Sequence, residues 1–143
     1  MKKRVLGTLT MFSLLLVVTA ASVHAQSNRS SVTIPFSFNV GDKTLPAGEY
    51  TIEPNKSDSQ TVWLLLDNSG HDNVLFTTTS VWARETNEAT KLVFNNYDGQ
   101  YFLSQIWPAG YNSGREVSRP RSEVTLAKSI HREKVVVTRG EGQ

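Results

Sequence analysis

Residues 32–40 alternate strictly between apolar and polar side chains, and this pattern constrains the fold more than any other feature of the chain. The apolar side consists of Val32, Ile34, Phe36, Phe38 and Val40. A period of two residues is that of a β-strand with one buried face. Pro35 lies on the opposite side and cannot donate to a strand ladder, so we expect this strand to lie at the edge of a sheet or to be paired on one side only at Pro35.

Further short segments have the composition of strands bounded by turn residues. They cover residues 45–52, 62–66, 74–82, 91–97 and 100–107. Residues 62–66 are apolar without alternation, which is typical of an interior strand covered on both faces.

The strongest hairpin signal is Asp98-Gly99, between residues 91–97 and 100–107. A type I′ turn needs positive φ at both central positions, which these residue types tolerate. Asn95 and Asn96 place polar groups on both faces of the first strand, so the strand register stays open.

The last third of the chain has a different character. Residues 108–114 are typical of a loop, and residues 119–132 are predicted to form an amphipathic helix with Ser118 as its cap and Pro120 in its first turn. Val124, Ala127 and Ile130 recur at helical spacing. Residues 134–138 are either a last strand or an ordered tail.

Regularly spaced short strands without a strand–helix–strand unit predict an all-β fold. We expect a single antiparallel sandwich or small barrel of about six to seven strands, with one C-terminal amphipathic helix. Residues 26–143 then form a single β-rich domain.

The first 25 residues have the three parts of a secretory signal. Lys2, Lys3 and Arg4 precede an apolar stretch over residues 5–21, and small residues surround a cleavage position after Ala25. The alternative is an uncleaved membrane anchor, but threonine and serine dilute the stretch, and it is shorter than the roughly 20 apolar residues that usually span a bilayer. We expect a cleaved signal peptide and a periplasmic or extracellular bacterial protein, with no transmembrane segment after cleavage.

Removal of this leader changes the meaning of the charge. The 15 basic residues fall to 12 against 13 acidic ones, and the formal net charge changes from +2 to −1. A chain that is nearly neutral offers no general attraction for nucleic acid. The absence of cysteine excludes disulfides, thiolate metal ligands and a cysteine nucleophile.

Two blocks of sequence resemble a family of small exported bacterial β-proteins of unassigned function. They are residues 33–52 (TIPFSFNVGDKTLPAGEYTI) and residues 101–110, in which YFLSQIW is followed by Ala109-Gly110. The resemblance implies an exported β-fold, and it carries no known catalytic or binding residue.

No motif in the chain indicates catalysis. His71 and His131 are the histidines that follow the leader, and no nucleophile elbow, phosphate loop or zinc-protease pattern accompanies them. We expect a non-enzymatic protein without cofactor or metal. A hydrolase or isomerase without a recognised motif is the least favoured hypothesis.

Aromatic residues on the predicted strands are the richer functional signal. If Trp82, Tyr101 and Trp107 converge, they line a pocket for an apolar ligand, as barrel interiors often do. The alternative is that they fill the core and pair across strands. Tyr111 lies in a glycine-rich loop with no evident core role, so it is a further candidate for ligand contact.

Basic residues concentrate towards the C-terminus. Residues 26–110 carry a net charge of −4 and residues 111–143 a net charge of +3. Arg115, Arg119 and Arg121, around the predicted helix start, are candidates for contact with an anionic envelope component or partner. The alternative is an ordinary solvated face.

These patterns favour an exported binding or structural domain, with an apolar small molecule or an envelope component as its partner. The second hypothesis is a self-associating or partner-docking envelope protein that uses its edge strand or its C-terminal basic helix. The sequence leaves the ligand identity and the oligomeric state open.

Overall fold

The computed structural model describes residues 29–55, 61–70 and 72–139, so the predicted leader and its cleavage position lie outside the described residues. The described part of the chain forms ten β-strands and one short helix. They are β1 (Ser30–Ile34), β2 (Phe38–Val40), β3 (Lys43–Leu45), β4 (Gly48–Pro54), β5 (Val62–Asp67), β6 (Asn73–Trp82), β7 (Lys91–Tyr97), β8 (Gln100–Trp107), β9 (Ser113–Val117), α1 (Arg121–Leu126) and β10 (Glu133–Thr138).

The strands form one open, mixed sheet. Its main path runs β1-β4-β5-β6-β9-β8-β2-β3, and β7 pairs with both β8 and β10. The pairs are antiparallel except β2 with β8, where Phe38 lies beside Tyr101 in parallel register. The expected all-β class is confirmed. The purely antiparallel arrangement is corrected, because the β2–β3 hairpin places a parallel neighbour beside β8.

The alternating segment forms two strands rather than one. Among the described strands, β1 pairs only with β4, whereas β2 pairs with β3 and β8. Pro35 lies between them, and its fixed φ and missing N–H explain why the ladder stops there. Burial nevertheless alternates across the break, since Val32, Ile34, Phe38 and Val40 are all buried. This break, the short β3, and the strands β9 and β10 account for ten strands where six to seven were expected.

The hydrophobic core is built around aromatic rings. The Phe38 ring meets those of Tyr50 and Phe94 edge to face, with centroids 5.2 Å and 5.5 Å apart. Phe36 stacks on Tyr101, with centroids 4.0 Å apart. Such contacts add to the stabilisation from apolar burial.

The predicted hairpin is confirmed. Asp98 and Gly99 have φ of 50° and 86°, as a type I′ turn requires. Its register has an irregularity between Val93 and Phe94, which face Gln105 and Leu103 respectively. One extra residue, Ser104, therefore lies in β8, as in a β-bulge.

β5 lies between β4 and β6, as expected of an interior strand. Its burial alternates, however: Trp63 and Leu65 are buried, and the residues between and beside them are only half-buried. One face of β5 is therefore partly open to solvent, which corrects the expectation that both faces are covered.

The C-terminal third differs most from expectation. Residues 113–117 form β9, although residues 108–114 were expected to form a loop. The helix covers only Arg121–Leu126 instead of residues 119–132. Ser118 does not cap the helix. Its backbone N–H donates to the Thr77 carbonyl and its hydroxyl accepts from the Thr77 hydroxyl, so it extends the pairing with β6. Pro120 is the N-cap residue instead.

The buried side of α1 also differs from the apolar stripe predicted by spacing. Val124 is exposed, whereas Glu123 is only 1% exposed. The helix thus packs through a hydrogen-bonded carboxylate. Within the described part of the chain, no helix is long and apolar enough to cross a membrane.

Candidate functional site

The candidate site lies where β6 ends and β9 begins. Trp82 faces Ser113 across this antiparallel pair, and Ser80 faces Arg115. Residues two apart on a strand point to the same side, so all four side chains share one face of the sheet. We call these four residues the Trp82 end. Trp63 faces Phe76, six positions from Trp82 along β6, and is linked to this end through the Arg115 side chain.

That face is the one that carries the core. Arg115 also lies opposite Ile106 of β8, and Ile106 is completely buried in the hydrophobic cluster. Along β6 the same face begins with buried Val74, Phe76 and Thr78 and then emerges into solvent. Trp82, the last residue of β6, is 73% exposed although it continues a core-facing row. Trp82, the largest side chain of β6, is therefore mostly open to solvent in the described part of the chain.

Arg115 is half-buried and faces Ser80, two residues before Trp82 on β6. Its Nη1 donates a hydrogen bond of 2.7 Å to the Ser80 hydroxyl oxygen. Its guanidinium carbon lies 6.0 Å from the centroid of the Trp63 ring, at the limit of a cation–π contact. Trp63 is 3% exposed, and its Nε1–H finds no hydrogen-bond acceptor among the described residues.

Tyr111 lies beside this end in the loop before β9. The Asn112 carbonyl accepts from the Ala83 N–H at 2.8 Å, which extends the β6–β9 pairing by one residue. The Tyr111 carbonyl accepts from the Asn87 N–H at 3.3 Å. Tyr111 is 42% exposed, so a second aromatic side chain is accessible in the loop that leads to Ser113, the residue opposite Trp82.

The structure does not bring Tyr101 and Trp107 to this end as partners of Trp82. Tyr101 is stacked on Phe36 at the other end of β8, about 20 Å from Trp107 by the strand rise. The Trp107 ring covers Gly114, on the face opposite to Trp82, and its Nε1–H donates to the Gln105 side chain at 3.1 Å. Both residues therefore have packing roles.

The three candidate arginines do not lie together at one site. Arg115 lies on the core-facing side of β9, whereas Arg119 follows the strand and approaches the Glu123 carboxylate at 4.0 Å. Arg121 is an exposed residue at the start of α1. Only Arg115 belongs to the Trp82 end.

A second polar cluster lies under α1. The Glu123 carboxylate accepts from the Asn95 amide at 2.7 Å and from the Tyr97 hydroxyl at 3.2 Å, through the same oxygen. Burial, and then the charge of Glu123, raise the pKa of Tyr97 above its ordinary value. These contacts attach the helix to β7, so we assign the cluster a structural role.

Metal binding finds no support in the described ranges, where no group of three histidine, cysteine, aspartate or glutamate side chains could hold an ion. Comparison with protein-family models, with curated proteins and with solved structures finds no match for the chain.

The sequence indicated Trp82, Tyr111 and Arg115 but missed Trp63 and Ser80. Trp63 belongs to a segment that was interpreted as core, and its proximity to Arg115 depends on a strand, β9, that the sequence did not predict. The one available signal was a tryptophan at the edge of an apolar run, next to a polar loop.

Proposed function

We propose that the protein is an exported, non-enzymatic binding domain that holds an apolar ligand at the Trp82 end. The observation that carries the proposal is the exposure of Trp82 on the core-facing side of β6. Exposed aromatic surface next to a polar rim is typical of a binding site, because its contact with a ligand releases water from a large apolar area.

The finer architecture of the domain belongs to this proposal. In this proposal the sheet curls into an incomplete barrel in which two of its edge strands, β1 and β10, approach each other. The hydroxyl of Ser30, the first residue of β1, lies 3.0 Å from the Thr90 hydroxyl. The Thr90 carbonyl accepts from the backbone N–H of Arg139, just after β10. Small barrels often bind ligands at one open end.

The chemistry of the Trp82 end favours binding over catalysis. Arginine cannot act as a general base, because its guanidinium stays protonated. Ser80 accepts a hydrogen bond from Arg115, and such a contact does not activate a hydroxyl as a nucleophile. Export rests on the predicted signal over residues 1–25, and the resemblance to exported β-proteins supports it.

Fluorescence titration with the neutral apolar probe N-phenyl-1-naphthylamine tests the proposal. We expect saturable binding to the unchanged protein and at least about tenfold weaker binding to Trp82→Ala, since a buried aromatic ring contributes more than 1.4 kcal/mol. Leu75→Ala is the matched control, because Leu75 is on the same strand, 60% exposed, and on the opposite face. Equal affinities of Trp82→Ala and the unchanged protein would contradict the proposal.

A second candidate function is self-association by strand addition, which a free strand edge on β6 favours. The Thr78 N–H donates to Thr61 beside β5, and the Thr77 carbonyl accepts from Ser118 on the other side. By alternation, the backbone groups of Asn73 and Leu75 face away from β5, where β9 no longer runs. They line an open groove of about 450 Å³ beside the β2–β3 turn.

Sedimentation over a concentration series separates this candidate from ligand binding. Association of two copies through the groove predicts a dimer that Leu75→Pro abolishes, because proline removes the N–H at the free edge. A monomer at every concentration would eliminate the second candidate.

A further inference from the structure

Arg115 has an unusual environment for a cation. It is half-buried on the core-facing side of β9, where its neighbours are a serine hydroxyl and an indole ring. No carboxylate in residues 29–55, 61–70 or 72–139 forms an ion pair with it, whereas Arg29 and Arg119 each approach a glutamate. Glu116, the next residue on β9, points to the opposite face.

A guanidinium presents five N–H donors, and Ser80 takes one of them. The remaining donors form the fork that binds planar anions through two parallel hydrogen bonds. Partial burial strengthens such a contact, because the surrounding dielectric is lower than in water.

Trp63 supplies a second, independent observation. Its ring centroid lies 6.0 Å from the Arg115 guanidinium carbon, and its indole N–H is buried without an acceptor among the described residues. A buried donor that lacks an acceptor costs free energy, so a group that accepts from it on binding gains that amount. The Arg115 guanidinium and the Trp63 N–H would both be satisfied by an anionic oxygen that accepts hydrogen bonds from them.

We propose that Arg115 and the Trp63 N–H form an anion subsite at the Trp82 end, so the ligand is an amphipathic anion with a carboxylate or phosphate head. The inference rests on the proposed binding function and specifies its ligand class. The anionic head accepts from Arg115, and the apolar body packs on Trp82. Such a ligand combines the apolar partner and the anionic partner that the sequence suggested separately.

Isothermal titration with three probes of the same ring system tests this subsite: 2-naphthoate, 2-naphthyl phosphate and the neutral 2-naphthalenemethanol. The unchanged protein should bind at least one of the two anions about tenfold or more tightly than the alcohol, because charge-assisted hydrogen bonds form only with the anions. The stronger of the two anions identifies the head group. In Arg115→Met the preference of the anions over the alcohol should disappear.

Two further variants keep the test decisive. Trp63→Phe keeps an aromatic ring and removes the N–H, and should reduce the preference of the anions over the alcohol several-fold. Arg121→Met is the matched control, since it removes an exposed arginine at the start of α1 and should leave the preference intact.

The outcomes separate this inference from the proposed function. Equal binding of the anions and the alcohol by the unchanged protein would overturn the anion subsite and leave the apolar site standing. A preference that survives in Arg115→Met would also overturn it, because the anion would then bind elsewhere. Absence of binding by all three probes would refute both the subsite and the proposed function.

Discussion

Replacement of Glu123 by alanine should destabilise the protein strongly, although glutamate is normally a surface residue. Its carboxylate is the acceptor of two buried donors, the Asn95 amide and the Tyr97 hydroxyl. Both partners are completely buried, so no water replaces the lost acceptor without rearrangement. The substitution therefore leaves polar groups of β7 unsatisfied beneath α1.

The expected magnitude follows from these contacts. Each buried donor that loses its acceptor costs about 1–3 kcal/mol. Removal of the charge offsets part of this destabilisation, because burial of the carboxylate itself costs free energy and Arg119 approaches it only to 4.0 Å. We expect a net loss of about 2–4 kcal/mol, a large fraction of the roughly 5–15 kcal/mol that stabilises a typical domain.

Urea unfolding of Glu123→Ala, Asn95→Ala and the double variant measures this loss. The double variant should be less destabilised than the sum of the single variants by about 1–2 kcal/mol, because each single variant already breaks the same hydrogen bond. Val124→Ala, at the adjacent exposed helix position, is the control and should change stability by less than about 0.5 kcal/mol. A loss below about 0.5 kcal/mol in Glu123→Ala, or full additivity in the cycle, would refute the assignment of α1 docking to this carboxylate.

Two other changes test the packing of the sheet and the burial of tyrosine. Gly114→Ala should cost about 1–3 kcal/mol in urea unfolding, since its Cβ would lie 2.5 Å from the Trp107 ring and 2.9 Å from the Ile106 carbonyl oxygen. A neutral Gly114→Ala would contradict the close packing. The raised pKa of Tyr97 stabilises the fold fully below the ordinary tyrosine value near 10, and this contribution is lost as pH rises through the folded-state pKa. Thermal unfolding between about pH 9 and 11.5 should therefore show a steeper alkaline loss than in Tyr97→Phe, and equal slopes would count against burial of this hydroxyl.

Local periodicity predicted most strands because burial follows side-chain alternation. It located β6, β7 and β8, and the positive φ of Asp98 and Gly99 followed from turn chemistry. It did not detect the break at Pro35, because alternation of burial continues through two strands with different partners. Nothing in local sequence distinguishes one long strand from two short ones that face the same core.

The features that sequence missed depend on distant partners. β9 carries Gly114, Arg115 and Glu116, which show no apolar alternation, and its pairing with β6 and β8 places them in the sheet. Glu123 is buried because Asn95 and Tyr97 satisfy its carboxylate, and no helical stripe indicates this.

The candidate site was predicted only in part for the same reason. Trp82 and Arg115 were each recognised from residue type, but as members of different clusters. Only the register of β6 with β9 places them on one face, and only tertiary packing places Trp63 against Arg115.

The indole N–H signals of the three tryptophans test the proposed binding site most directly. Trp82 belongs to the Trp82 end, Trp63 lies near its Arg115, and Trp107 lies on the opposite face as an internal control. In a ¹H–¹⁵N spectrum of the labelled protein titrated with 2-naphthoate, we predict saturable shifts of the Trp63 and Trp82 signals and no shift of Trp107. A shift of Trp107 alone, or no shift of Trp82 at saturating ligand, would contradict the account.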